Sequence, residues 1–163
     1  MPFELLEGEI GTVQETASDT LYIHTEVEID APPERVWSIL TDWKNLTEWS
    51  NSLVNLKGDF QRGGEVVVTV KVGIGNVTRD LKHKLIEFED GRTFGWSDPF
   101  MPGMTDHHIY LVEPLPNGNS RFVQTDQVQG IGKYLLGGLV ARTNMQTYVL
   151  FNRSLKERAE NLA

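Results

Sequence analysis

Apolar and polar residues alternate over LYIHTEVEID (21–30), with Ile23, Thr25, Val27 and Ile29 on one face and Tyr22, His24, Glu26 and Glu28 on the other. A period of two predicts a half-buried strand. The pattern then changes. APPERVWSILTDW places a double proline where a helix can begin, Asp30 near its positive end, and Val36, Trp37, Ile39 and Leu40 as an apolar stripe. A second short helix is predicted over 45–51. From Leu53 the chain reads as a meander of about six strands, including 65–72, 78–89, 92–98, 107–115 and 120–130, with hairpin signals at EDGR and PNGN. From about Ile131 the spacing becomes three-to-four, through Leu135, Leu136, Leu139, Val140, Leu150, Phe151 and Leu155. That predicts a terminal helix of ~45 Å if continuous, with Gly137 and Gly138 as a place to bend. Residues 1–19 lack a period and are expected to form a loose arm before a single domain over 20–163.

An antiparallel meander must bury one face, and a long amphipathic helix is available to cover it, so the predicted class is α+β. Composition narrows the function. Of the 163 residues, 39% are apolar and 23% charged, a globular balance, and the net charge of −8 opposes a nucleic-acid footprint. With no cysteine there is no disulfide, zinc-thiolate site or thiol nucleophile. The acidic start lacks a leader pattern, and no run approaches the ~20 apolar residues of a membrane span. The expected location is the cytoplasm, without membrane insertion, as a monomer or homodimer.

Two of the four histidines, His107 and His108, are neighbours. On a strand they point to opposite faces and cannot share a metal, and neither an H-x-H nor an HExxH pattern occurs. Neither metal nor cofactor is expected. Both faces of this strand are apolar, so periodicity leaves open which histidine turns inward. On the strand at 78–88, solvated Lys82 and Lys84 turn Arg79, Leu81, His83 and Leu85 inward. The glycines of GIGN (73–76) lack the strand–helix setting of a phosphate loop.

The element order, with IDAPPERVWSILTDWKNLTEW (29–49), HHIYLVEPLPNG (107–118), VQTDQVQG (123–130) and FNRSLKERAE (151–160), resembles the START-related SRPBCC superfamily in its polyketide cyclase/dehydrase-like branch. The resemblance covers about residues 20–163. It implies a helix-grip fold: a curved antiparallel sheet wrapped around a long C-terminal helix, two short helices after the first strand, and a deep cavity between sheet and helix. It also implies that His108 and Tyr110 face inward, with Phe122, Gln124, Asp126 and Val128 on the next strand, and that Trp49 stands near the cavity entrance.

An ionised Asp126 in such a cavity needs a partner; His108 is the expected one and Arg79 the second. The ligand would be a small, mostly hydrophobic molecule, lipid-, polyketide- or aromatic-like, oriented by His108, Asp126, Arg79 and Tyr110, with His83 and Gln124 on the same wall. The alternative is a cofactor-independent cyclase, aromatase or dehydratase, with His108 as base, Asp126 as its orienter, and Tyr110 or Arg79 as oxyanion donor. A weaker alternative is a co-chaperone-like interaction module. Trp96 shares a strand face with Phe94 and reads first as core. Phe100, Met101 and Met104 lie on a loop suited to a gate. Tyr134, Asn144, Met145 and Tyr148 would form a cavity floor, though as a stripe they read first as packing residues.

Overall fold

In the computed structural model, which describes residues 3–16, 19–71, 77–97, 99–101 and 103–161, the meander closes on a helix laid across it. The strands are β1 (Glu9–Glu15), β2 (Leu21–Ile29), β3 (Leu53–Gly58), β4 (Glu65–Lys71), β5 (Thr78–Glu89), β6 (Thr93–Ser97), β7 (Pro99–Met101), β8 (Met104–Thr105), β9 (His108–Pro114) and β10 (Ser120–Val128). Eight of them form one curved antiparallel sheet in the order β1-β2-β10-β9-β6-β5-β4-β3, and β7 and β8 form a separate small ribbon. β2 and β3 stand near opposite edges. The chain crosses between them through helix α1 (Pro33–Leu40) and a helical turn at Leu46–Glu48. Pro33 is tolerated because the first helical N–H needs no partner. Val36, Trp37 and Leu40 are buried, and the Trp37 indole donates to Asp90 Oδ1 at 3.1 Å, tying α1 to the β5–β6 turn.

Helix α2 (Gly138–Asn161) packs on β1, β2, β10 and α1. The core lies between it, α1 and the inner sheet face, with Phe94, Phe122, Phe151 and Leu155 fully enclosed. The fold is the expected helix grip.

Two sequence expectations are corrected. The supposed loose arm contains β1, an edge strand in register with β2 from Glu9↔Val27 to Glu15↔Leu21. Its burial under α2 depends on Gly11, where an added Cβ would stand 2.8 Å from the Met145 sulfur and 3.1 Å from Val149 Cγ2. Arg153 clasps Glu9 at 2.5 and 2.7 Å across the same seam. The second correction concerns the start of the terminal helix. Residues Lys133–Gly137 form a π-helical segment, and Leu135, Leu136, Leu139 and Leu150 are exposed. At Leu135 and Leu136 the reason is Lys133: its amine is drawn to Glu15 and Asp19, so the apolar side chains beside it turn out.

Gly95 permits the close contact of β6 and β9. A methyl there would stand 2.6 Å from the His108 carbonyl oxygen, a backbone atom that cannot step aside. Gly95→Ala is expected to cost about 1–3 kcal/mol by forcing the strands apart, measured by urea denaturation. An unchanged midpoint would contradict the close approach.

Candidate functional site

His108 opens β9 with Trp96 of β6 directly opposite and Tyr110 two residues on. Its side chain is 5% exposed. Its ring stacks on Tyr110 (4.4 Å between centroids), lies 4.3 Å from Tyr148 of α2, and meets Trp96 edge-on at 5.4 Å. Trp96 in turn stacks on His83 at 6.0 Å, so one tryptophan is bracketed by two buried histidines.

The polar groups form a chain running from sheet to helix. His108 Nε2 lies 2.9 Å from Gln124 Oε1. Gln124 Nε2 donates to Asn152 Oδ1 at 2.6 Å and to the Tyr148 carbonyl at 3.3 Å. Asn152 Nδ2 donates to Thr25 Oγ1 at 3.2 Å. A backbone carbonyl can only accept, so the Gln124 amide must turn its nitrogen toward Tyr148 and its oxygen toward the histidine. His108 therefore carries its proton on Nε2, leaving the Nδ1 lone pair as its basic position.

Burial holds the His108 imidazole below its ordinary range, against the opposing pull of the Asp126 charge and the Gln124 hydrogen bond. The sign for stability follows. Unfolded, His108 takes a proton near about pH 6.5, whereas the folded chain resists protonation to lower pH. Stability is complete above that value and declines as pH falls below it. Thermal melts should fall less steeply from about pH 7 to pH 5 in His108→Phe than in the parent chain, although the variant is less stable throughout. Parallel slopes would refute the assignment.

Asp126 corrects the expected pairing. Its Oδ2 accepts the Tyr148 hydroxyl at 2.7 Å, and its Oδ1 accepts the His107 amide at 3.1 Å and the Gln127 amide at 2.8 Å. Among the described residues it has no hydrogen bond to His108 or Arg79. His107 contributes through its backbone. Burial first, and then the Asp126 charge, push the phenols of Tyr110 and Tyr148 well up, so both stay protonated.

Arg79 is exposed: it lies in the inward register of β5 but beyond the covered stretch, where its guanidinium stays in water. Tyr134 is likewise exposed, its hydroxyl bound to Asp19, and is no cavity floor. Met104 is buried among Ile23, Val128 and Ala141 rather than free on a gate. Asn144 is half-buried on α2. Trp49 is half-buried against Phe151 (5.0 Å) and lines a cleft of about 410 Å³ with Glu48 and Arg158. The side chains of Phe100 and Met101 lie outside the described residues. Sequence reasoning missed Thr25 and Asn152. The available signal was an asparagine at four-residue spacing from Tyr148, inside an apolar stripe.

Exposure rises along the inner face of β5 from buried His83 through half-buried Leu81 to exposed Arg79, and on β4 from buried Val66 and Val68 to half-buried Val70. Among the described residues no three His, Asp or Glu side chains gather as metal ligands, and no helix is long and apolar enough to cross a membrane.

No curated protein matches the chain. Solved structures share its fold. A Rhodobacter sphaeroides protein is 16% identical over 94% of this chain and 100% of its own, with a TM-score of 0.68. A START superfamily protein from Mycobacterium smegmatis is 14% identical over 87% and 99%, at 0.66. A Thermus thermophilus protein is 20% identical over 85% and 96%, at 0.63. Likeness at such identity speaks for fold alone. The family model for polyketide cyclase/dehydrase and lipid transport proteins matches residues 20–160, and the chain belongs to that family.

Proposed function

We propose that this chain binds a small, mostly hydrophobic molecule, lipid-, polyketide- or aromatic-like, between the inner sheet face and α2, with its polar end at His108. The observation that carries the reading is the chain of buried hydrogen bonds that fixes the His108 proton on Nε2. It leaves an oriented acceptor, Nδ1, among the rings of Trp96, Tyr110 and Tyr148. Ligand sites combine apolar walls with a few oriented polar groups. An accepting nitrogen selects a ligand whose polar end donates, such as a hydroxyl or phenol.

The test compares 1-naphthol with 1-methoxynaphthalene by calorimetry. The phenol should bind more tightly, and His108→Phe should abolish the difference while leaving the weaker apolar binding. If neither probe nor a series of long-chain fatty alcohols binds, the reading fails.

Proton transfer at His108 Nδ1 is the second reading, supported by the same lone pair and by the protonated Tyr110 and Tyr148 nearby. It is the lesser one because His108 is oriented by a neutral amide: Gln124 positions the ring without the charge with which a directly bonded carboxylate would stabilise an imidazolium. Turnover of a poly-β-ketone substrate that vanished in His108→Ala, with binding retained, would reverse the order.

A further inference from the structure

Large apolar side chains stand in water at the start of the terminal helical region: Ile131 is 80% exposed, Tyr134 69%, Leu135 88%, Leu136 50% and Leu139 68%. At the wider pitch of a π-helical segment, Ile131, Leu135 and Leu139 follow one another about one turn apart and form a ridge. The ridge is braced from behind. Lys133, itself buried, bonds Glu15 and Asp19, Tyr134 bonds Asp19, and the Gly132 amide donates to the Gly103 carbonyl at 2.9 Å. Gly137 packs against the Lys133 stem and Leu21. An apolar surface held this firmly is organised for a partner before the partner arrives.

We propose that this ridge is the two-fold interface of a homodimer. The side chains leave roughly 700 Å² uncovered, more than a monomer ordinarily gathers in one patch. Two copies packed along the ridge would bury at most roughly 1,400 Å² in total, at the small end of stable specific interfaces. The rim carries both signs, with Glu15 and Asp19 on one side and exposed Arg142 one turn beyond Leu139. Mixed rims suit a surface that meets its own copy. The inference is independent of what the interior binds.

The test is sedimentation velocity on the full chain across the micromolar range. Expected is a species of twice the 18.4 kDa chain mass, converted by Leu135→Glu to a folded monomer with an unchanged circular dichroism spectrum, since that side chain supports no core; its melting temperature should no longer depend on protein concentration. Leu135→Ala, which adds no charge, should weaken association at least tenfold. The chain has no cysteine, so Leu135→Cys introduces a single thiol that should meet its own copy and oxidise to a dimer much faster than Arg62→Cys, an exposed control. A parent chain that is monomeric throughout, a dimer indifferent to Leu135→Glu, or equal oxidation rates would each overturn the proposal. So would a monomer that floats with phosphatidylcholine vesicles and loses that binding in Leu135→Glu; the ridge would then be a membrane contact.

Discussion

Replacing Gln124 with leucine is expected to cost roughly 2–5 kcal/mol of stability and to free the proton position of His108. Gln124 is fully buried and joins three partners: the His108 ring, the Asn152 amide and the Tyr148 carbonyl. Leucine matches its volume closely but makes none of those bonds, so the loss comes from orphaned polar groups and hardly from packing. Two readouts separate the effects. Denaturant melts report stability, and imidazole nitrogen chemical shifts report the tautomer. The parent chain should show Nε2–H alone, and the variant a mixture. Gln124→Glu is the informative companion. Its carboxylate would still accept from His108 and would favour the imidazolium, raising that pKa, but it would turn oxygen toward two acceptors on α2. A leucine variant as stable as the parent, with the tautomer unchanged, would refute the network.

Phe94→Ala is expected to cost about 3–5 kcal/mol, the usual range for emptying a buried aromatic site. Phe94 has no exposed surface and is ringed by Trp37 (5.9 Å), Trp43 (5.3 Å), Trp96 (6.1 Å) and Tyr110 (4.7 Å). Tyr110 stacks on Phe94 through one contact and on His108 through another. The damage should therefore reach the site. Tyr110 can tilt into the vacated space, and discrimination between naphthol and its methyl ether should weaken even where the folded state persists. Phe94→Leu should cost less and keep more of that discrimination. An alanine variant within about 1 kcal/mol of the parent would show that the neighbouring rings close the gap.

Period explains what was legible beforehand. β2 and β5 alternate because one face is buried, whereas β9 is apolar on both faces, and the turns at EDGR and PNGN carry glycines that adopt φ of +81° and +86°. β1 was hidden because EIGTVQE puts Gly11 on the covered side, where a strand normally shows an apolar residue, and the room is needed for Met145 and Val149. The start of α2 was misread for the opposite reason. Its leucines have core spacing, but spacing cannot register that Lys133 is called inward by carboxylates at Glu15 and Asp19, more than a hundred positions away.

At the site, the inward parity of His108, Gln124 and Asp126 matches the expectation from the resemblance. Their partners do not follow from strand order. Asp126 is met by backbone amides and by Tyr148, which arrives on a helix whose rotation over the sheet no strand pattern encodes. Arg79 has the right parity and the wrong depth: alternation assigns a face and says nothing about where along the strand cover ends.

The hydrogen bond from Asn152 to Thr25 joins positions 127 apart in the chain, and this sets when the site comes into being. During synthesis Thr25 leaves the ribosome early, and every strand of the sheet is complete before α2 emerges. Until then Gln124 lacks both acceptors that orient its amide, and the imidazole beside it has no reason to hold its proton on one nitrogen rather than the other. Docking of the helix settles both at once. A nascent chain can thus assemble its sheet without yet possessing the ordered polar chain around His108, which is complete only with the last contact of the fold.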